Sequence, residues 1–273
     1  MDFNLKNHLD FTILLPVYDR DDLCNNFEKV IESIYSNSIK PDNLFVLVDG
    51  NLNNNFNKKI NICQKKFNFK VIRSEKIGLA KILNKGIQEV KTFWIGRMDG
   101  DDLCEIDRFK NSIKYMKEDY DLFGGQIIEI DNFNEKNKKK VPINENDIKK
   151  IIKYRNPFNH MTVFYKTKIV KKLGGYPNLY LKEDYGLWCK MIGSGAKVAN
   201  MPFVVVKAKT GNNFFIRRGG LKYIVSEFYL QKILLENKLT NLFFATLIFI
   251  LKSIVYILPV NFKKFIYKKL LRK

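Results

Sequence analysis

The sequence predicts an α/β fold in which a mixed, mainly parallel central sheet is flanked by helices and followed by a C-terminal helical extension. Three observations carry this. Short apolar runs alternate with helix-period segments through residues 11–96. Beyond Asp102 the alternation gives way to paired strand-like runs, and residues 220–273 turn helix-periodic, then apolar and basic. A chain of 273 residues with 46% hydrophobic composition can bury the core of one α/β domain with an appendage, more readily than that of two equal domains. The expected division is a main domain over 1–219 and an extension over 220–273.

Phe11–Leu15 reads as a buried strand that Pro16 closes, because proline cannot extend a central ladder. Leu23, Phe27, Val30, Ile31 and Ile34 then recur at helical spacing before a second apolar strand, Leu44–Val48, completing a βαβ unit. A third strand is expected around Phe69–Ile72, a helix from Gly78 to Val90, and a fourth strand at Phe93–Gly96. A helix near 105–117 precedes Gln126–Ile130 and Lys140–Ile143, which can pair as a hairpin across a Lys/Asn-rich turn. Helical segments follow near 145–153 and 166–173. Gly174–Pro177 reads as a turn, Glu183–Ile192 as a short helix, 197–206 as further strands and 220–236 as an amphipathic helix.

The formal net charge of +20 calls for an anionic partner: nucleic acid, an anionic membrane or a phosphorylated substrate. Its location favours the membrane. Residues 241–273 carry seven basic and no acidic side chains among Leu, Ile, Phe and Tyr, as expected of a segment lying on an anionic bilayer. A second excess between Lys136 and Lys172 is equally a solvated surface. No nucleic-acid reading module is recognisable, so no nucleic-acid partner is expected. The apolar run Leu242–Leu251 falls short of the roughly 20 residues a spanning helix needs. Peripheral attachment is therefore expected, with a spanning helix bridging Lys252 and a helix packed on the main domain as alternatives. The polar first ten residues lack the apolar core of a signal peptide, and the four scattered cysteines suggest neither a disulfide framework nor a zinc site. The expected location is cytoplasmic, at the inner face of the cell membrane.

Open α/β sheets bind ligands at the carboxyl ends of their strands. Strand one ends in Pro16-Val-Tyr18-Asp-Arg20, strand two in Asp49-Gly-Asn51, and strand four in Arg97-Met-Asp99-Gly-Asp101-Asp102. The Gly-rich cradles G-x-G-x-x-G and G-x-x-x-x-G-K-[ST] are missing, so a diphosphate needs another device. Asp99 and Asp101, one residue apart, can hold a hard divalent cation that neutralises diphosphate oxygens. The same spacing also occurs in solvated loops, and Asp102 can instead hold the loop. Asp49 can accept a hydrogen bond from a base or ribose, or form a turn; Tyr18 can stack on a base, or pack.

These motifs, in the order Pro16-Val-Tyr18, Val48-Asp-Gly50, Arg97-Met-Asp-Gly-Asp-Asp102 and Asp107-Arg108, resemble family 2 glycosyltransferases of GT-A fold. Asn156-Pro-Phe-Asn-His160-Met-Thr-Val163, Gly174-Gly-Tyr176 and Glu183-Asp-Tyr-Gly-Leu-Trp188 are similar to the second half of bacterial members that build surface polysaccharides. The matching stretches are scattered over residues 11 to about 230. The resemblance implies a nucleotide-binding half over about 1–102 and an acceptor-binding half over about 103–219. It also implies an inverting transfer from a nucleotide-diphosphate sugar, UDP-linked by expectation, to a saccharide or lipid-linked acceptor, with Mn2+ or Mg2+. Pro16, Tyr18 and Asp49 would contact the nucleoside, with Arg97 on the same nucleotide-sugar side. Asp99 and Asp101 would surround the metal and diphosphate, and Asp184 would be the catalytic base. Here Asp49 is followed directly by Gly50, whereas many relatives carry a second acidic residue before the glycine, which bears on base recognition.

An attacking hydroxyl must lose its proton as the new bond forms, and a positioned carboxylate can take it. Adjacent helical residues point about 100° apart, so only one of Glu183 and Asp184 can face the cleft. Asp184 is preferred, and Glu183 is the competing residue on the acceptor side. In the resembling family the loop of His160 borders the acceptor; a structural hydrogen-bonding role is its alternative. Arg217-Arg218-Gly-Gly220 can clamp a diphosphate from a mobile loop, or be a solvated helix entry. Trp188 is expected in the core. Two other readings stand beside the transferase. A sugar-phosphate nucleotidyltransferase would need a Gly-rich loop after strand one, and a non-enzymatic basic adaptor would use the tail alone.

Overall fold

The computed structural model describes residues 9–131, 134–209, 218–259 and 262. Strands β1 (Phe11–Val17), β2 (Asn43–Asp49), β3 (Lys70–Ser74) and β4 (Trp94–Arg97) form a parallel block in the spatial order β3-β2-β1-β4. Helices α1 (Asp21–Tyr35), α2 (Asn54–Lys66) and α3 (Leu79–Glu89) are the crossovers. Phe27 and Ile31 of α1 join Phe56 and Ile60 of α2 in the core on one sheet face. Ile82, Leu83 and Ile87 of α3 join the core on the other. The sheet is covered on both faces, which its nearly unbroken apolar strands require.

β1 does not stop at Leu15: it runs through Pro16 to Val17. The Leu14 carbonyl faces β4, accepting from Met98 N at 3.2 Å, and Pro16 faces the same side two residues later. The β1–β4 ladder has ended at the Leu14–Arg97 pair by then, so the missing N–H removes no ladder bond.

The second half contains β5 (Leu103–Cys104), α4 (Arg108–Lys117), β6 (Leu122–Asp131), β7 (Asn134–Lys139), α5 (Glu145–Ile151), β8 (Phe164–Lys166), α6 (Thr167–Lys172), α7 (Glu183–Gly193) and β9 (Val198–Lys209). Among the described residues they extend the sheet to nine strands in the order β3-β2-β1-β4-β8-β6-β9-β5, with β7 on β6. β8 is antiparallel to both β4 and β6, while β9 is parallel to β6, so the sheet is mixed. The expected hairpin exists, but its second strand lies in the Lys/Asn-rich segment rather than at 140–143. Among the described residues β7 pairs only with β6, and a charged, exposed sequence suits such an edge. The two shortest strands, β5 and β8, have no sequence signature, and residues 198–209 form one long strand.

Helix α8 (Leu221–Glu236) packs on α7 and on α9 (Leu242–Ile257). Its amphipathicity is unusual. The packed face holds Ser226, Glu227 and Gln231 beside Tyr223, Leu230 and Leu234, whereas Leu221, Val225, Phe228 and Tyr229 are exposed. α9 buries only Ala245, Ile248 and Tyr256 and leaves Leu242, Phe243, Leu247, Leu251 and Ile254 in solvent. Among the described residues no helix is long and apolar enough to cross a membrane. The basic tail from 263 onward lies outside the described residues.

Candidate active site

The carboxyl ends of β1, β2 and β4 meet along one edge, as parallel crossovers require. β4 delivers Arg97, which is fully buried and is the last residue of the strand rather than the first after it. Its Nη1 donates to the carbonyls of Leu14 (3.0 Å) and Met98 (2.5 Å), its Nε to His160 Nε2 (3.2 Å), and its Nη2 to Asp99 Oδ1. A buried guanidinium thus fixes Asp99 from below. His160 Nε2 accepts from Arg97 and also meets the Tyr176 hydroxyl at 3.1 Å. Burial and the Arg97 charge push the imidazole well below its ordinary pKa, so the ring is neutral. His160 thus sits between Arg97 and Tyr176, one residue removed from Asp99 through Arg97.

Asp101 pairs with Arg20 Nη2 at 2.5 Å. Arg20 also binds Asp22 and donates to the Tyr18 hydroxyl at 2.7 Å, with its guanidinium 5.3 Å from the Tyr18 ring centre. Tyr18 is exposed and available for stacking, and Pro16 is half-buried beneath the turn. Gly100 lets the turn lie on the end of β1: a Cβ there would stand 3.1 Å from the Pro16 carbonyl oxygen and from Val17 Cγ1. Burial and the neighbouring Asp99 raise the Asp101 carboxyl above its ordinary value. Asp102 is buried; its Oδ1 accepts from Lys209 N at 2.8 Å, tying the turn to the last residue of β9, and its Oδ2 has no partner among the described residues.

No group of three or more His, Cys, Asp or Glu side chains forms a metal cage among the described residues. Asp99 and Asp101 instead offer two hard oxygen donors on one turn, next to an Asp102 oxygen that has no partner among the described residues. That donor set fits Mg2+ or Mn2+, which bind through one or two carboxylates and complete their shell with water and substrate phosphates.

Asp49 ends β2 and is half-buried, its Oδ1 accepting from the backbone N–H groups of Ile77 (2.7 Å) and Gly78 (3.1 Å). It therefore shapes the entry to α3 as well as facing the cleft edge. Beside it a cavity of about 410 Å³ is lined by Gly50, Asn51, Leu52, Arg73 and Glu75 among others.

On the other side, α7 opens with the two candidate bases. Glu183 is buried, whereas Asp184 is partly exposed, with Oδ2 accepting from Asn156 Nδ2 and Oδ1 from Tyr185 N, both at 2.7 Å. Burial raises the Asp184 carboxyl above its ordinary value against those bonds and the charge of Arg218, and Asp99 adds repulsion. Burial also raises Glu183, with Asp184 next and Asp99 further down. Asp99 therefore lies near enough to both for their charges to interact, which brings the acidic turn and α7 to one cleft. Arg217 lies outside the described residues; the adjacent Arg218 is described and acts electrostatically on Asp184. Trp188 is fully buried, 5.7 Å from Phe158 and 6.0 Å from His160 by ring centres, and so belongs to the core.

Two residues of this site lie within the sequence motifs but carry no role there. Arg20 holds Asp101 across 81 positions, and Asn156 holds Asp184 across 28. Asn156 heads the segment that resembles the family and its Asn-Pro dipeptide marks a turn, while Arg20 closes the strand-one motif; neither signal names the carboxylate it holds.

Residues 12–174 match the family model described as glycosyl transferase family 2. The chain is 30% identical over 262 residues to the amylovoran biosynthesis glycosyltransferase AmsE of Erwinia amylovora, covering 95% of this chain and 98% of that one. It is 32% identical over 268 residues to the UDP-Gal:alpha-D-GlcNAc-diphosphoundecaprenol beta-1,3-galactosyltransferase of Escherichia coli, covering 96% and 97%. Among solved structures it resembles S. aureus TarS 1–349 in complex with UDP-GlcNAc, with a TM-score of 0.66 and 15% identity over 83% of this chain and 66% of that one. It also resembles a mannosyltransferase from Pyrobaculum calidifontis in complex with GDP-Man and Mn2+, with a TM-score of 0.60 and 15% identity over 96% and 85%. The structural likenesses establish a shared fold of GT-A type.

Proposed function

The chain belongs to glycosyl transferase family 2, and from that membership we propose that it moves a sugar from a nucleoside-diphosphate donor to a lipid-linked saccharide, inverting the anomeric centre. UDP is the proposed nucleotide. Membership in a family of sugar transferases leaves no place for the non-enzymatic adaptor or the nucleotidyltransferase considered from sequence alone.

One observation supports the chemistry above the others: the partly exposed Asp184, held by Asn156 and the Tyr185 N–H, lies near enough to Asp99 of the acidic turn for their charges to interact. The acceptor oxygen forms its bond to the anomeric carbon as the bond from that carbon to the diphosphate oxygen breaks. Asp184 takes the hydroxyl proton, and the nucleoside diphosphate departs from the opposite side. A divalent cation held by Asp99 and Asp101 would neutralise the departing diphosphate. Arg97 keeps Asp99 in place, and His160, neutral and occupied, keeps Arg97 in place. Tyr18 and Asp49 receive the nucleoside, and Pro16 shapes the floor beside them; a role for Arg217 on the diphosphate rests on the sequence alone. Glu183 is buried and its carboxyl is pushed up to about 8, so near neutral pH it already holds the proton that a base must take.

The proposed acceptor is a saccharide on a membrane lipid, such as the diphosphoundecaprenol-linked sugar in the name of the E. coli relative. The exposed apolar face of α9 and the basic, acid-free sequence of 241–273 support attachment to the anionic inner face of the membrane. A screen of UDP- and GDP-sugars with Mn2+ and a detergent-solubilised diphosphate-linked GlcNAc acceptor, read by nucleotide release, tests this. Acceptor-dependent UDP release that disappears in Asp101→Asn is expected. Release that ignores the acceptor, or none with any UDP-sugar, contradicts the proposal.

A further inference from the structure

We infer that the C-terminal helix α9 is a working part of the transfer site: Lys252 and Tyr256 hold Glu227, Glu227 holds Lys182, and Lys182 fixes the start of the helix bearing Glu183 and Asp184. The functional consequence rests on the reading of Asp184 as the base.

The contacts are continuous. Glu227 of α8 is fully buried, with Oε2 2.8 Å from Lys182 Nζ and Oε1 2.9 Å from Lys252 Nζ. Tyr256 donates its hydroxyl proton to Oε2 at 3.0 Å, and Gln231 Nε2 donates to Oε1 at 2.8 Å. Lys182 is buried with its Nζ 3.8 Å from the Tyr223 ring centre and 3.4 Å from the Tyr256 hydroxyl. It immediately precedes α7, and its carbonyl accepts from Gly186 N at 2.9 Å in the first turn. α8 also grips the chain two residues before Lys182: Ser226 Oγ donates to the Tyr180 carbonyl at 2.9 Å. From α9, Lys252 also lies 5.9 Å from the ring centre of Tyr185, the residue after Asp184.

Two features set this cluster apart from ordinary packing. Leu181 adopts φ 55°, a left-handed conformation a leucine enters at a cost and keeps only where its surroundings hold it. Those surroundings are the anchored Tyr180 and Lys182. In addition, apolar side chains could fill a helix interface at least as stably as a buried carboxylate between two lysines. What the charges add is a single geometry, since each is tolerable only with its partners in place. A helix that merely anchored the enzyme would need apolar contacts alone on its inner face.

Hydrogen exchange of the full chain reads this coupling without any transfer reaction. In Lys252→Met and in Tyr256→Phe, the amides of Tyr185 and Gly186 should exchange at least about tenfold faster while those of β1 and α1 stay as in wild type. Lys252→Arg should restore protection, and the exposed Lys232→Met should leave it unchanged. In the transfer assay the first two variants should lower kcat about tenfold or more with donor KM nearly constant, since small misplacements of a catalytic group cost that much. Tyr256→Phe removes one hydroxyl and serves if Lys252→Met does not fold. Wild-type protection and kcat in Tyr256→Phe, or faster exchange spread equally over β1, would overturn the inference. If protection changes as expected while Asp184→Asn still transfers, the base assignment fails and the coupling stands.

Discussion

Asn156 donates from Nδ2 to Oδ2 of Asp184 at 2.7 Å, tying the Asn-Pro loop to the first turn of the helix that carries the proposed base. The bond favours the charged carboxylate against burial, which favours the neutral one. A base works only when deprotonated, and burial has raised this one. Transfer should therefore fall with decreasing pH through a midpoint above the ordinary aspartate value of about 3.9. Asn156→Ala removes a charge-assisted bond, so its midpoint should move higher still, with kcat reduced at neutral pH. A pH–rate profile checks both; a midpoint unmoved by Asn156→Ala would separate this bond from the chemistry.

Gly100 allows the acidic turn to rest on the end of β1. In Gly100→Ala the new methyl would stand 3.1 Å from the Pro16 carbonyl oxygen, so the turn must lift. Overpacking of this kind costs about 1–3 kcal/mol. The expected signature is a weakened dependence of donor binding on Mn2+ together with a lower melting temperature, measured by thermal shift. Unchanged metal-dependent binding would mean that the turn does not need this seat.

Glu227 links acid stability to the C-terminal helices. Burial alone would raise its pKa, but Lys252 and Lys182 outweigh it and hold the carboxyl down from 4.5 to about 2. A folded pKa below the unfolded one gives stability that is present above pH 4.5 and is lost as pH falls toward about 2. Glu227→Gln leaves two lysines without their carboxylate and should cost about 3–5 kcal/mol at neutral pH. The gap between wild type and variant should close on acidification through that window, as followed by chemical denaturation. A gap independent of pH would contradict the assignment.

The first half of the fold was legible in the sequence because buried parallel strands and their crossover helices have strong, distinct periodicities. Leu23, Phe27, Val30, Ile31 and Ile34 mark α1 with hardly an interruption, and all are buried. β5 and β8 are two and three residues long, too short for any period, and take their identity from partners far along the chain. β1 overran its expected end because a proline's effect depends on which neighbour its nitrogen faces, and sequence does not show that. The site divides in the same way. Asp99, Asp101 and Asp184 announce themselves through local motifs, whereas Arg20 and Asn156 act through contacts spanning 81 and 28 positions. The buried face of α8 misleads in the other direction: Ser226, Glu227 and Gln231 read as solvent-facing until α7 and α9 are seen around them.

The exposed face of α9 offers a direct test of membrane attachment. Leu247 and Leu251 are both in solvent one turn apart. Burying a leucine contributes about 1.5–3 kcal/mol, so Leu247→Ser with Leu251→Ser should weaken binding to vesicles containing an anionic lipid by tenfold or more. Flotation with anionic and with neutral vesicles measures it. Equal flotation of wild type and variant on anionic vesicles would contradict the attachment.

The assignment of Asp184 is tested most directly by Asp184→Asn, which keeps the shape of the side chain and can keep the contact with Asn156 while removing the proton acceptor. Transfer and donor binding should be measured on the same preparation, the latter as the rise in melting temperature with Mn2+ and UDP. Transfer should fall by at least about a hundredfold while the melting shift stays that of wild type. Near-normal transfer by the folded variant would contradict the account.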